Sequence, residues 1–294
     1  MAAPAISVSE LSECMTSEDI VIIDCRFALA DPHLGEHHYR EAHIPGAFYL
    51  HLDRDLSGPK GLFGGRHPLP DVDALAQKLA AIGINSSPPT RVVVYDDSRL
   101  GFAARAWWLL CFLGHDQVQV LDGGFTAWCE AGLPVTNTLP VARAATFEPR
   151  LRADRVVDIQ AVRSLQNSAD VALIDAREAR RYWGLEEPID PIAGHIPGAQ
   201  NFPWQQVCDG RGLLLADAAQ RQRWCDVGDT KNIVVYCGSG VTACANILSL
   251  AQIGRDDVKL YAGSWSDWCS HLLENKNVKL ENKNAKEAED RYRK

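Results

Sequence analysis

The chain is written twice. Val21-Ile22-Ile23-Asp24-Cys25-Arg26 is answered by Ala172-Leu173-Ile174-Asp175-Ala176-Arg177, and His43-Ile44-Pro45-Gly46-Ala47 by His195-Ile196-Pro197-Gly198-Ala199. Further on, Val92-Val93-Val94-Tyr95-Asp96 matches Ile233-Val234-Val235-Tyr236-Cys237, and Asp122-Gly123-Gly124-Phe125-Thr126-Ala127-Trp128 matches Ala262-Gly263-Ser264-Trp265-Ser266-Asp267-Trp268. Four matches in the same order, about 140–150 residues apart, are too many for chance. A period this long signals duplicated whole domains rather than a solenoid of short repeats. A length of 294 residues agrees with two domains.

Each copy alternates short β-branched runs with helical patterns. Val21–Asp24, Arg91–Tyr95, Val118–Leu121, Val171–Asp175, Ile233–Tyr236 and Val258–Tyr261 read as strands covered on both faces, the mark of a parallel sheet. Asp71–Ile82, Phe102–Leu113 and Val241–Ile253 read as helices between them. The fold class is therefore α/β, two tandem domains each holding a mostly parallel sheet flanked by helices. Boundaries are predicted at 1–138 and 154–273, with a linker near 134–153 broken by Pro134, Pro140 and Pro149. Residues 274–294 form a polar tail rich in Asn, Lys and Glu.

A net charge of −8 argues against a broad nucleic-acid or anionic-membrane partnership, and no apolar run is long enough to span a bilayer. The nine cysteines are scattered without CxxC or zinc-finger spacing, which predicts reduced cytoplasmic thiols, no metal and no disulfide framework. The opening residues lack a secretory signal.

One cysteine stands apart. In Tyr236-Cys237-Gly238-Ser239-Gly240-Val241-Thr242-Ala243 a buried strand ends, a thiol follows at once, and a Gly/Ser loop turns into a helix. Glycines let successive N–H groups turn inward around the sulfur, and the helix start adds unpaired donors. Such a setting favours the thiolate nucleophile. In the first copy Asp96 takes this position and the Gly-Ser-Gly loop is gone, so one copy is read as active and the other as silent. A cysteine phosphatase would want an arginine six positions after the cysteine; Ala243 stands there. Arg26 and Arg177, each following a strand-end aspartate, are predicted to make structural ion pairs, and the tryptophans to pack in the core.

The paired His-Ile-Pro-Gly-Ala boxes, the Asp-x-Arg strand ends and the glycine–tryptophan segments carry a resemblance over the chain up to about residue 270 to two-domain rhodanese-family sulfurtransferases. The loop Cys237–Thr242 resembles that of the 3-mercaptopyruvate sulfurtransferase type; thiosulfate-preferring members carry basic residues where Gly238 and Ser239 stand. The resemblance implies two rhodanese-like domains, Cys237 as the residue that becomes a persulfide, and Ser239 as a relay hydroxyl. It implies His43 as the relay histidine, Asp31 as its carboxylate, and Arg181 as the grip on the donor's anionic group. Gly238, Gly240, Val241 and Thr242 are implied to complete the donor site. Where vertebrate members have a second arginine this chain reads Glu187-Pro188-Ile189-Asp190, a departure that weakens the expected grip on mercaptopyruvate.

The resemblance implies transfer of a sulfane sulfur from 3-mercaptopyruvate through Cys237 to a thiol or cyanide, with a thioredoxin-like dithiol as natural acceptor. No cofactor is implied, and the protein is expected as a monomer or weak dimer. Thiosulfate as donor, a sulfur-trafficking carrier and a non-catalytic binding module stay open beside it.

Overall fold

The computed structural model describes residues 3–274 apart from 18, 166, 167, 169, 229 and 231. Of the predicted 274–294 tail, everything from 275 on lies outside the described residues.

Two five-stranded sheets repeat one plan. In the first, β1 (Ala5–Ile6), β2 (Ile20–Asp24), β3 (Phe48–Tyr49), β4 (Arg91–Tyr95) and β5 (Val118–Leu121) lie in the order β1-β5-β4-β2-β3. In the second, β6 (Val156–Val157), β7 (Val171–Asp175), β8 (Gln200–Asn201), β9 (Asn232–Tyr236) and β10 (Val258–Tyr261) lie in the order β6-β10-β9-β7-β8. Every pairing is parallel. The two-residue edge strands were not visible as apolar runs; they exist because the central strands offer them hydrogen-bonding edges. Central strands are apolar on both faces because helices cover both, as parallel sheets require.

Register then sets the site. Asp24 pairs with Tyr95 and Asp175 with Tyr236, so Asp96 and Cys237 emerge just beyond the carboxyl edges of their sheets. Open α/β sheets place ligands at this edge.

The helices Ala103–Phe112 and Ala243–Gln252 pack together across the domain interface. All ten residues of the first are buried, so it has no solvent face, and one apolar core runs through both domains. Loops seal the joint reciprocally. Residues 50–71, after β3, reach the second domain: Gly64 N–H donates to Asp267 Oδ1 (2.7 Å) and Arg66 N–H to Ser266 Oγ (3.1 Å). Residues 202–216, after β8, reach back: Leu214 N–H donates to Asp122 Oδ1 (2.7 Å), and Arg99 donates to the Asp209 carbonyl. Each copy thus lends a loop to the other's sheet edge.

Candidate active site

Cys237 is buried at the end of β9. Its N–H donates to Ser264 Oγ (3.1 Å), and its carbonyl accepts from Trp265 N–H (3.0 Å). The Gly238 carbonyl accepts from Ser266 N–H (3.0 Å), and the Gly240 carbonyl from Arg105 Nη1 (3.1 Å). Those three carbonyls are thus engaged, while no acceptor among the described residues bonds the N–H groups of Gly238 to Thr242. Gly240 is required by its backbone: its φ is +75°, and a Cβ there would lie 2.3 Å from the Ala262 carbonyl oxygen.

The loop opens on a cleft of about 650 Å³ between the domains. Cys237, Gly238, Ser239, Val241 and Thr242 line it with Arg66 and Arg181, and Phe27, Leu29, Phe102 and Trp204 form an apolar wall. Gly240 does not line it and serves the turn. Such a cavity, largely apolar with a few convergent polar groups, is the usual form of a small-molecule site. Among the described residues no cluster of three or more His, Cys, Asp or Glu side chains is placed to hold a metal. A second cleft, of about 540 Å³, is lined by four aspartates (Asp116, Asp122, Asp217, Asp256) and by one thiol, Cys111, pushed up to about 12 by burial.

Two cations meet at Gly238. A Cβ on that residue would lie 2.8 Å from Arg66 Nη2 and 3.5 Å from Arg181 Nη1, so the guanidiniums fill the space a side chain would take. Arg181 leaves the short helix Ala179–Tyr182 and is held by Glu187 Oε1 (2.7 Å) and Asp190 Oδ2 (3.0 Å). Its neighbour Arg180 turns outward to exposed Glu186.

Beside the thiol, Ser239 Oγ is 2.7 Å from Nδ1 of buried His67. Asp53 Oδ1 lies 3.3 Å from His67 Nε2, facing it without the alignment of a hydrogen bond and with no other partner. Burial, outweighing the pull of Asp53, draws the His67 imidazole down to about 4, so it is neutral near pH 7. Beneath the loop lies Arg105, fully buried in the helix Ala103–Phe112. It donates to the Gly240 carbonyl and, at 3.4 Å each, to those of Leu56, His67 and Pro68. Burial pulls its guanidinium down, opposed by the nearby sulfurs of Cys244 and Cys237. It has no carboxylate partner among the described residues, and its Nε has no acceptor.

The same domain recurs in known proteins. The rhodanese-like domain family matches residues 7–131 and again 158–271. The chain belongs to the rhodanese-like family. It is 43% identical over 272 residues to a probable 3-mercaptopyruvate sulfurtransferase of Pseudomonas aeruginosa, covering 90% of this chain and 95% of the relative. It is 36% identical to a putative thiosulfate sulfurtransferase, SseB, of Mycobacterium tuberculosis, over 90% of this chain and 93% of that one. Among solved structures, SseA of Escherichia coli, described as a 3-mercaptopyruvate sulfotransferase, superposes with a TM-score of 0.78 at 30% identity, covering 90% of this chain and all of that one.

Within this rhodanese-like scaffold two expected site residues lie elsewhere. His43 is fully buried in the first domain, Nδ1 2.7 Å from the Tyr39 carbonyl, Nε2 3.1 Å from that of Thr138, and its ring stacked on Tyr39. His195 repeats the arrangement on Tyr182, so the histidine of each Ile-Pro-Gly box pins its own loop. Asp31 is exposed, and its Oδ1 accepts the His33 N–H (3.0 Å), closing a surface turn. The histidine beside Ser239 is His67 and the facing carboxylate is Asp53. Arg26 and Arg177 pair with Asp24 and Asp175, as the strand ends predicted.

Arg66, His67, Asp53 and Arg105 were all missed. The reciprocal loops carry no shared motif, so the repeat does not flag them. A signal existed for Arg105: one cation inside Ala-Ala-Arg-Ala-Trp-Trp-Leu-Leu, where a helix is otherwise apolar all round. Gly64-Gly65-Arg66-His67-Pro68, without counterpart in the second copy, was a fainter one.

Proposed function

We propose that this rhodanese-like chain is a sulfurtransferase that takes a sulfane sulfur from 3-mercaptopyruvate onto Cys237 as a persulfide and hands it to a thiol or cyanide. One observation carries the reading: Cys237 shares a single cleft with the two guanidiniums that meet at Gly238, Arg66 and Arg181, and with Ser239, which is hydrogen-bonded to His67. The first group suits a carboxylate held bidentately, the second a proton in transit.

In the first half-reaction the Cys237 thiolate attacks the donor's sulfur. The new S–S bond forms as the donor's C–S bond breaks, and the electron pair passes to carbon as the enolate of pyruvate. The proton that arrives on the donor's thiol moves through Ser239 and neutral His67 to the enolate carbon. Pyruvate leaves, and the anionic outer sulfur rests against the open N–H groups of Gly238 to Thr242. In the second half-reaction an acceptor thiolate attacks that outer sulfur and restores the Cys237 thiolate. Ping-pong kinetics follow from the covalent intermediate.

The name of the Pseudomonas relative supports the donor. A thioredoxin-like dithiol or another thiol is the acceptor in this reading, and the enzyme works in the cytoplasm as a monomer or weak dimer. All nine cysteines are unpaired thiols, which accords with a reducing compartment. Thiosulfate is the second donor to test, because the Mycobacterium tuberculosis relative is named a putative thiosulfate sulfurtransferase. Mass spectrometry after donor treatment is expected to find one added sulfur on Cys237 and none on Cys237→Ser. No adduct with either donor would overturn the proposal.

A further inference from the structure

The charges behind the cleft form an alternating line. Asp175 Oδ2 is 2.6 Å from Arg177 Nη2, whose Nη1 is 3.1 Å from Glu187 Oε2. Glu187 Oε1 is 2.7 Å from Arg181 Nη2, which lies 3.0 Å from Asp190 Oδ2. Asp190 Oδ1 is bonded by Arg66 Nη1 of the first domain. Three carboxylates thus alternate with three guanidiniums. The side chains of Asp175, Glu187 and Asp190 are at most 4% exposed. The cationic end, Arg66, is the most open, at 28%.

We infer that Arg66 supplies the second donor-binding guanidinium that the second domain lacks, and that Asp190 is the counter-charge that tunes this site to a monoanionic donor. The inference rests on the sulfurtransferase reading and names which donor charge that same site accepts. Glu187-Pro188-Ile189-Asp190 offers no arginine, yet a positive charge stands over Gly238, delivered across the domain interface. A neutral loop therefore does not mean a neutral site.

Asp190 decides how much of that charge a donor feels. It touches both guanidiniums that face Gly238, and it is the only carboxylate on Arg66 among the described residues. The line sets three cations against three anions before a donor arrives, and half-exposed Glu178, 4.0 Å from Arg181, adds a further negative charge beside it. One carboxylate caps the line at Arg66. A second negative charge on the same donor meets Asp190 and Glu187 behind the arginines and Glu178 at the cleft wall, and the other arginine lining the cleft, Arg180, is already paired with Glu186. Arg105 is fully buried under the loop, with the sulfurs of Cys244 and Cys237 nearby. Like charges brought together in a partly desolvated site are a strong source of discrimination.

The test is kcat/KM for 3-mercaptopyruvate and for thiosulfate in the full-length chain. Asp190→Asn is expected to lower the mercaptopyruvate-to-thiosulfate ratio by about tenfold or more, chiefly through a lower KM for thiosulfate. Asp190→Glu keeps the charge and is expected to leave the ratio within about threefold of wild type. Arg66→Met is expected to raise KM for mercaptopyruvate about tenfold while kcat moves far less. Parallel changes for both donors in Asp190→Asn, or an unmoved KM in Arg66→Met, would overturn the inference while persulfide on wild-type Cys237 left the sulfurtransferase reading intact. Absence of that persulfide with either donor would remove both. Should Asp190→Asn fail to fold, Arg66→Met still decides the matter.

Discussion

The loops after β4 and β9 began as copies, and they now solve the same electrostatic problem in opposite ways. After β4, Asp96 folds its carboxylate back into the turn. Oδ1 accepts from Ser98 N–H (2.8 Å) and Leu100 N–H (3.1 Å), and Oδ2 from Phe102 and Ala103 N–H (2.8 Å each). After β9, Cys237 has no such reach, and the N–H groups of Gly238 to Thr242 have no acceptor among the described residues. A strand-to-helix turn of this kind gathers donors that need an anion. The first copy carries its anion covalently; the second leaves its donors without one. Backbone angles tell the same story. Arg99 and Leu100 adopt φ of 57° and 66° around the built-in carboxylate, whereas the active loop places a glycine, Gly240, where φ is positive.

The sharpest way to break this comparison is to exchange the residues. Cys237→Asp should write the silent loop into the second domain, abolishing turnover with every donor while the fold persists by circular dichroism. Retained turnover would mean that the nucleophile lies elsewhere.

Asp96→Ala attacks the other side. It strips four N–H groups, three of them in buried bonds, of their acceptor, at about 1–3 kcal/mol for each group left unsatisfied, softened where water enters. A loss of at least about 3 kcal/mol in urea denaturation is expected, with donor KM unchanged. An unchanged midpoint would show that the carboxylate does not hold the turn.

The relay gives a pH test. The His67 imidazole is held down at about 4 against an ordinary value near 6.5. Between those values the unfolded chain takes up a proton that the native site refuses. Stability is therefore complete above about pH 6.5 and falls as pH drops towards 4, by up to roughly 3 kcal/mol. His67→Gln should flatten that slope relative to wild type. Equal slopes would place His67 in a wetter setting than its burial indicates.

Reading the chain twice over was enough to find the two domains, the parallel sheets, the strand-end thiol loop and the aspartate that takes its place in the first copy. Those features are local: β-branched runs, a strand-end thiol, glycines at a turn, and a motif set against its copy. The groups that surround Cys237 are not local. His67 meets Ser239 across 172 residues. Arg66 reaches Asp190 across 124 and Arg105 reaches Gly240 across 135. The most conspicuous histidine, His43, belongs to a box that repeats in both copies, and repetition marked it as scaffold: each copy pins its own loop with that histidine. A duplicated chain displays in sequence what its halves share. Which loop of one half completes the site of the other was decided by tertiary packing, because the burial of the two facing helices brings those loops onto opposite sheet edges.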